Sequence, residues 1–443
     1  MRVAVIGAGI AGVATACELA QDGHAVTVIE RHGSVAAEAS FAPAGLLGVG
    51  AVAPWSADGP TGPFAGGRAF DPQVWRWRWQ ARQAAASPQR AARQRALIAL
   101  ARLSLERTQH LRARLQLDHE HAAGLLLLLR DAREQSRLQP ALAHLRELGV
   151  AAHELDAAGC YAVEPGLNRD QPLIGGLHLP QDEVANCRQF AHLLRDAAER
   201  AGAEFRFGSV VRALEGEGPG CTLRIEQLAL TTGFAGSQVV TPAQAGGPSR
   251  LARRARAAAR YLDPVSDETF DAVVLAAGVA SAEWFAALGL RLPLLPLHGY
   301  SVTAALRSPE RGPRAAVTEI DGRYVIGRLG QRLRIAGGAE PGGSAQRQRP
   351  AAIEALYQGL NDWFPGGAHL ARPQLWKGAR PALPDGLPRV GPSPRPGVWL
   401  NLGHGGCGWA LACGSARLLA DQLAGRTPVL DASMFAVARG AKG

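Results

Sequence analysis

The segment from Met1 to Glu30 constrains the fold of this chain more than any other. An apolar strand pattern leads straight into Gly7-Ala8-Gly9-Ile10-Ala11-Gly12, a G-x-G-x-x-G motif that opens a helical pattern, and an acid follows at Glu30. In such a unit the first glycine permits a tight turn, the second lets the backbone approach a pyrophosphate, and the third lets helix and strand pack closely. The helix N-terminus attracts the phosphates, and the acid binds a ribose hydroxyl. We therefore predict a dinucleotide site formed by Val5, Ile6, Gly7, Ala8, Gly9, Ile10, Ala11, Gly12 and Glu30.

Arg31 directly follows the acid of this motif. A cation at that position suits a 2′-phosphate, but the carboxylate of Glu30 would repel the same phosphate. We favour a solvated arginine and keep Arg31 among the candidate cofactor contacts.

Composition describes a folded protein with a preference for anions. The chain has 443 residues, of which 47% are hydrophobic and 19% charged, so it can bury the cores of about two or three domains. The formal net charge of +10 favours contact with cofactor phosphates, carboxylate substrates, acidic lipids or nucleic acid. The arginines are scattered among alanines without a basic block, which argues against a nucleic-acid partner.

The cysteines and the hydropathy pattern indicate in which cellular compartment the protein is expected. The six cysteines lie far apart, with no C-x-x-C pair and no histidine at metal-ligand spacing, so we expect no metal site. This usage favours the reducing cytoplasm. No run of about 20 apolar residues is present, so the chain is not expected to span a membrane, although contact with the inner face of the cytoplasmic membrane stays open.

Hydrophobic periodicity places further helices and strands along the chain. We predict helices over 90–117, 131–148, 187–202 and from 409, and strands over 124–130, 176–180, 205–214, 271–278, 292–304, 324–326, 332–336 and from 398. Residues 227–262 lack this periodicity and are interpreted as an inserted surface loop.

Trp75, Trp77 and Trp79 alternate with arginines. We favour half-buried helix anchors over a membrane-facing or partner-facing patch for these three side chains.

Small residues near the chain's C-terminal half indicate which dinucleotide binds. The predicted strand over 271–278 ends in Ala277-Gly278, and the final strand is followed by the glycine-rich turn Gly403-His404-Gly405-Gly-Cys-Gly408. A cofactor that contacts both these segments and the first motif extends through the whole chain. That favours a flavin dinucleotide over a nicotinamide one.

The motif order of the chain resembles the D-amino acid oxidase and dehydrogenase superfamily, and its most similar branch is that of the D-amino acid dehydrogenases of the small-subunit type. The resemblance rests on the first glycine motif, on Gly299-Tyr300-Ser301, on Gly378-Ala-Arg380-Pro381 and on the turn after Leu402. It implies an α/β fold with a Rossmann-type FAD-binding domain and a second, α+β substrate domain built on a mostly antiparallel sheet. The implied FAD-binding domain comprises 1–50, 185–290 and 376–443, and the substrate domain 51–184 and 291–375, with 227–262 inserted.

The resemblance also implies roles for individual residues. FAD contacts are expected from Ser40, Ala44, Gly45, Val210, Val211, Ala277, Gly278, Gly403, Gly405, Gly406 and Gly408. Arg380 matches the arginine that binds the substrate carboxylate, and a guanidinium can hold a carboxylate by two parallel hydrogen bonds. Tyr324 resembles a strand tyrosine that assists this arginine, and Tyr300 and His404 are weaker pocket candidates.

The implied activity is FAD-dependent oxidative deamination of amino acids, including D-amino acids such as D-alanine, to 2-oxo acids and ammonia. Hydride passes from Cα to flavin N5, and the electrons leave to an acceptor other than oxygen, a quinone or a carrier. Three alternatives stay open: an oxygen-using oxidase of glycine, sarcosine, proline or hydroxyproline, a tRNA-modifying FAD oxidase, and a non-catalytic flavin-fold scaffold.

Overall fold

The structure, a computed structural model, describes residues 1–53, 71–216, 220–228, 265–320, 324–344 and 347–437. Helices within these ranges are α1 Ile10–Gln21, α2 Pro72–Ala86, α3 Arg90–Arg114, α4 Ala132–Glu147, α5 Ala157–Val163, α6 Cys187–Arg200, α7 Pro350–Trp363 and α8 Gly408–Leu423. Strands are β1 Arg2–Ile6, β2 Ala25–Glu30, β3 Leu46–Leu47, β4 His121–Leu129, β5 His153–Asp156, β6 Gly175–Ala185, β7 Glu204–Phe207, β8 Ser209–Glu215, β9 Cys221–Gln227, β10 Val265–Phe270, β11 Ala272–Leu275, β12 Leu295–Ala305, β13 Ala316–Glu319, β14 Tyr324–Leu329, β15 Arg332–Pro341, β16 Gln374–Ala382, β17 Arg389–Pro392 and β18 Val398–Leu402.

A six-stranded sheet in the order β17-β18-β11-β1-β2-β7 carries the first glycine motif. Its neighbours pair in parallel except β17, which runs antiparallel to β18. Val3 and Val5 pack into the core that contains α1, α6 and α8, whereas Ala4 and Ile6 face a second cluster with β8, β9 and β11. Burial on both faces explains why β1 is apolar without alternation. The predicted Rossmann-type domain is confirmed.

One predicted strand is split in the structure. The pattern over 205–214 is interrupted at Gly208, which has a φ of 64° and donates its N–H to the His32 carbonyl. β7 before the turn joins the six-stranded sheet, while β8 after it joins β9 and β10 in a separate three-stranded sheet. A glycine with positive φ changes the chain direction, which an apolar pattern alone does not reveal.

A nine-stranded sheet forms the second layer, in the order β16-β12-β15-β14-β13-β4-β6-β3 with β5 paired to β6. Every pair is antiparallel except β13 with β4, so the predicted mostly antiparallel sheet is confirmed. The predicted domain boundaries cut through it, because β3 lies before residue 51 and most of β16 after residue 375. The predicted insert is described only at Gln227 and Leu228, and the rest of it lies outside the described residues.

Helix α2 carries the three alternating tryptophans. Trp77 is half-buried and donates from Nε1 to the Ala382 carbonyl at 3.1 Å, as expected for a helix anchor. Trp75 and Trp79 are 62% and 58% exposed, so the anchor interpretation is wrong for these two. No helix within the described ranges is both long and apolar enough to cross a membrane.

Candidate active site

An elongated cavity of about 1340 Å³, counting its open mouth, begins at the first glycine motif and ends beside β16. The predicted cofactor and substrate residues that line it are Ile6, Gly7, Gly9, Ile10, Ala11, Glu30, Arg31, Ser40, Val210, Val211, Ala277, Gly278, Arg380, His404, Gly405, Gly406 and Gly408. One cavity therefore brings together predictions made for distant parts of the chain.

The three glycines of the motif have the different backbone surroundings that its spacing predicts. Gly7 has a φ of 104°, and a Cβ there would lie 2.7 Å from the Ala276 carbonyl oxygen. A Cβ on Gly12 would lie 1.9 Å from the Gly7 carbonyl oxygen, so close packing requires glycine at both positions. A Cβ on Gly9 would meet only the Ser40 hydroxyl, at 3.6 Å, because Gly9 faces the cavity.

Glu30 joins the two turns that border this end of the cavity. Its carboxylate accepts hydrogen bonds from Ala8 N at 2.7 Å and His32 N at 2.8 Å. Burial raises the pKa of Glu30, and these backbone hydrogen bonds oppose that shift. The Ser40 hydroxyl accepts from Ile10 N at 3.0 Å and satisfies a free N–H at the start of α1. The remaining first-turn N–H groups of α1 face a position suited to an anion.

Arg31 pairs with Glu38 at the cavity wall. Burial works against ionisation of Glu38, but hydrogen bonds from His32 and Arg31 lower its pKa to about 2. Arg31 is thus partly neutralised by Glu38, which leaves less positive charge available to a phosphate in the cavity.

Several predicted cofactor residues lie behind the wall rather than on it. Val5 is buried in β1, and Gly45 accepts at its carbonyl from Trp409 Nε1 at 3.1 Å. Gly403 has a φ of 82° and packs against Leu383. The residues of the predicted set that do not line the cavity are Val5, Ala8, Gly12, Ala44, Gly45 and Gly403.

Arg380 lies at the far end of the cavity. Its Nη1 donates to the Gly338 carbonyl at 2.8 Å, and its guanidinium lies flat over Gly299, where a Cβ would come within 2.1 Å of Nη2. In the described part of the chain no carboxylate forms an ion pair with it, and burial lowers its pKa. An arginine has five N–H donors, so this side chain retains donors for an anion in the cavity.

A glycine pair forms the surface beneath this arginine. Gly299 of β12 is the register partner of Gly378 of β16. The indole of Trp376 covers Gly378, where a Cβ would lie 1.7 Å from the ring, and it stacks on Phe41 with centroids 6.1 Å apart. Trp376 was not predicted from the sequence, although the alternation Trp376, Gly378, Arg380 on one strand placed all three on the same face.

His404 is buried at the start of the glycine-rich turn. Its Nε2 lies 3.1 Å from the Ser415 hydroxyl, and burial lowers its pKa to about 4. The imidazole is therefore neutral and a weak base at neutral pH.

The structure does not bring Tyr300 and Tyr324 to the cavity. The Tyr300 hydroxyl donates to Glu340 at 2.7 Å and the Tyr324 hydroxyl to Glu319 at 2.6 Å, and both rings lie in the cluster around α7. Arg380 lies on the opposite face of the nine-stranded sheet, because it pairs with Leu297 of β12 and its guanidinium lies over Gly299, the residue directly before Tyr300. Strand alternation makes consecutive residues face opposite sides, and the sequence did not show which side meets the cavity.

Asn401 is a cavity residue that was not predicted from the sequence. It is 1% exposed, and its Nδ2 donates to the Thr15 hydroxyl at 2.9 Å. Its Oδ1 is buried without a hydrogen-bond partner within the described residues. A buried acceptor on a cavity wall is expected to bind a donor group of the occupant.

Comparison with known proteins gives a consistent result. Residues 2–422 match the family described as FAD dependent oxidoreductase (DAO). A D-amino acid dehydrogenase of Cereibacter sphaeroides is 36% identical, over 99% of this chain and 95% of that protein. Another from Bradyrhizobium diazoefficiens is 32% identical over 99% of both. The fold is similar to that of glycine oxidase from Geobacillus kaustophilus, with a TM-score of 0.70, 24% identity and 99% coverage of both chains.

Proposed function

The chain belongs to the FAD dependent oxidoreductase (DAO) family, and we propose that it oxidatively deaminates D-amino acids such as D-alanine to 2-oxo acids and ammonia. The amino acid class follows from the relatives named D-amino acid dehydrogenase, at 32–36% identity over nearly the whole chain. The observation that carries the residue assignment is the cation of Arg380 at the far end of the cavity that begins at the glycine motif.

The residues of the cavity fit FAD. Gly9 presents open backbone at the N-terminus of α1, which suits a pyrophosphate, and Glu30 lies where a ribose hydroxyl can donate to it. Ala277 and Gly278 at the end of β11, and the turn from Gly405, line the continuation of the same cavity. When bound, FAD would supply the redox chemistry as the acceptor of a hydride from the substrate Cα.

The protein's contribution is position and charge. Arg380 binds the substrate carboxylate through two parallel N–H donors, which fixes the Cα hydrogen relative to the cavity. The guanidinium lies over Gly299 and is held by the Gly338 carbonyl, so the carboxylate site is preformed.

No side chain described at this end of the cavity is an efficient base. Burial lowers the pKa of His404 to about 4 and raises the pKa of the Cys187 thiol. Substrate therefore binds with its amine already neutral, and no protein group removes a proton from Cα before hydride transfer. Release of the imino acid to water gives the 2-oxo acid.

Anaerobic reduction tests this proposal. The FAD-bound protein is mixed without oxygen with matched D- and L-amino acids and with glycine and sarcosine, and the loss of the visible flavin absorbance is followed. We expect D-alanine to bleach the flavin fastest. Bleaching by the L-isomer or by no amine at all would overturn the assignment.

The same reduced protein identifies the acceptor. We propose a quinone or a carrier rather than oxygen, so a ubiquinone analogue should restore the absorbance much faster than air. Stoichiometric peroxide with fast oxidation by air would favour the oxygen-using oxidase instead.

We further propose that the protein contacts the membrane through α2. The exposed face of this helix carries Trp79 and Trp75 together with Arg76 and Arg82, and the helix contains no acidic residue. Tryptophan favours the membrane interface, and arginine favours anionic headgroups. Trp77 fixes the helix to Ala382, two residues after Arg380.

Co-sedimentation tests the membrane contact. Vesicles of phosphatidylcholine with and without phosphatidylglycerol are compared for the wild type, Trp79→Ala and Arg82→Gln. Each variant should bind the anionic vesicles roughly fivefold less, since one interfacial arginine contributes about 1 kcal/mol. Val429→Ala, at an exposed apolar residue elsewhere, is the control. Equal binding by all four proteins would contradict the contact.

A further inference from the structure

A second arginine without an ion-pair partner among the described residues lies behind the cavity wall. Arg334 of β15 is 3% exposed. Its Nε donates to the Thr303 hydroxyl at 2.8 Å, and its Nη1 donates to the Pro43 carbonyl at 3.1 Å. Both acceptors are neutral, and across the described ranges no carboxylate lies within ion-pair distance of this guanidinium.

Arg334 lies on β15 four residues before Gly338, whose carbonyl accepts from Arg380. Pro43, the acceptor of Arg334, lines the cavity, and so does Cys187. The 3.1 Å hydrogen bond to the Pro43 carbonyl places the positive charge of Arg334 behind that part of the wall. Arg334 itself does not line the cavity, and it reaches the wall through its hydrogen bond to Pro43.

A buried cation whose hydrogen-bond acceptors are neutral is costly unless an anion compensates it. The charged groups that act on Arg334 are Arg332 and Glu120, which already pair with each other. Burial lowers the pKa of Arg334 to about 10, so it stays protonated at neutral pH. Hydride uptake brings one proton and two electrons to the bound flavin, so the ring gains one net negative charge until it binds a further proton. The negative charge therefore arises at the end of the cavity where the cation lies.

We propose that Arg334 is a positioning residue for charge, which stabilises the reduced flavin and raises its midpoint potential. The inference rests on the proposed placement of the isoalloxazine ring beside Arg380. Because Arg334 is almost completely buried, its field is screened less than that of a cation at the surface.

The test uses the FAD-bound protein and needs no amino acid substrate. The variants are Arg334→Gln, which keeps hydrogen-bond donors without charge, and Arg334→Lys, which keeps the charge without the planar fork. Arg328→Gln, on the neighbouring strand β14 and bonded to the Gly330 carbonyl at its surface, is the matched control. Midpoint potentials are measured anaerobically at neutral pH against a reference dye, and the affinity for sulfite, which adds to N5 and leaves negative charge on the ring, is measured by absorbance.

We expect Arg334→Gln to lower the equilibrium constant for flavin reduction at least tenfold. For a two-electron couple this lowers the midpoint potential by about 30 mV. Its sulfite affinity should fall by at least as much, while Arg334→Lys and Arg328→Gln stay within threefold of the wild type. An unchanged potential in Arg334→Gln, or an equal loss in the lysine variant, would overturn the inference. If Arg334→Gln does not retain FAD, the potential of Arg334→Lys alone tests the inference. Loss of FAD from both variants would show that Arg334 is needed for folding and would overturn the inference.

These results are independent of the substrate assignment. Failure of D-amino acids to bleach the flavin would leave the dye and sulfite titrations interpretable, because neither uses an amino acid. A shifted potential without amino acid reduction would therefore support the inference and count against the proposed substrate alone.

Discussion

Replacing Arg380 is the substitution whose effect the structure defines best. Arg380 donates one N–H to the Gly338 carbonyl, and no carboxylate among the described residues pairs with it. Its other N–H groups are therefore available to the substrate carboxylate. A charge-assisted hydrogen bond contributes about 1.5–3 kcal/mol. Arg380→Lys keeps the charge and one such bond, and we expect KM to rise roughly 10- to 150-fold. Arg380→Met loses both bonds, about 3–6 kcal/mol, which lowers kcat/KM by roughly 10² to 10⁴.

The assay is steady-state oxidation of D-alanine with an artificial electron acceptor, together with the flavin absorption spectrum of each variant. Arg389→Lys is the control, because Arg389 pairs with Asp385 at 2.6 Å and does not line the cavity. The control should stay within threefold of the wild type, and all variants should retain FAD. If Arg380→Met kept the wild-type KM, or if the control lost as much, the carboxylate role of Arg380 would be refuted.

Three further substitutions have defined outcomes. Glu30→Ala removes the acceptor for Ala8 N and His32 N, so we expect the apoprotein to lose about 1–3 kcal/mol of unfolding free energy in urea and the Kd for FAD, followed by flavin fluorescence, to rise. An unchanged Kd would exclude Glu30 from the cofactor site. Burial raises the pKa of Asp182, which accepts from Val49 N and Gly50 N, to about 7 from 3.8. Stability from this group is full below pH 3.8 and is lost as pH rises through 7, so urea unfolding should depend less on pH between 4 and 8 in Asp182→Asn than in the wild type. The pKa of His404 is lowered to about 4, so its neutral form stabilises the fold fully above pH 6.5 and less as pH falls through 4. His404→Gln should therefore leave the shape of the kcat profile between about pH 5.5 and 8.5 unchanged, and a lost inflection in that range would show that His404 titrates during turnover.

The local part of the fold was predictable from sequence. Gly7, Gly12 and Glu30 act within one strand-turn-helix unit, and the structure gives them the contacts that their spacing indicates. The direction of the long-range packing was not predictable. Tyr324 and Arg380 lie on strands of one sheet, but α7 covers the face of the first and the cavity borders the face of the second.

Some residues lie at or behind the cavity wall only because they contact partners far away in the chain. These residues could not be identified from the sequence, because the long-range packing was not predictable. Arg334 is separated from Pro43 by most of the chain, and Asn401 from Thr15. Neither residue carries a local pattern that distinguishes it from an ordinary strand residue. The domain limits stay a prediction, and at β16 they divide a strand that pairs with β12 of the large sheet while its end borders the cavity.

The most direct test of the central claim is an X-ray structure of the protein with FAD and a small carboxylate competitor bound. We predict that the flavin ring lies at the β16 end of the cavity and that two nitrogens of Arg380 lie about 2.7–2.9 Å from the carboxylate oxygens. A carboxylate bound away from Arg380, or a flavin ring at the opposite end near Val210, would contradict this placement.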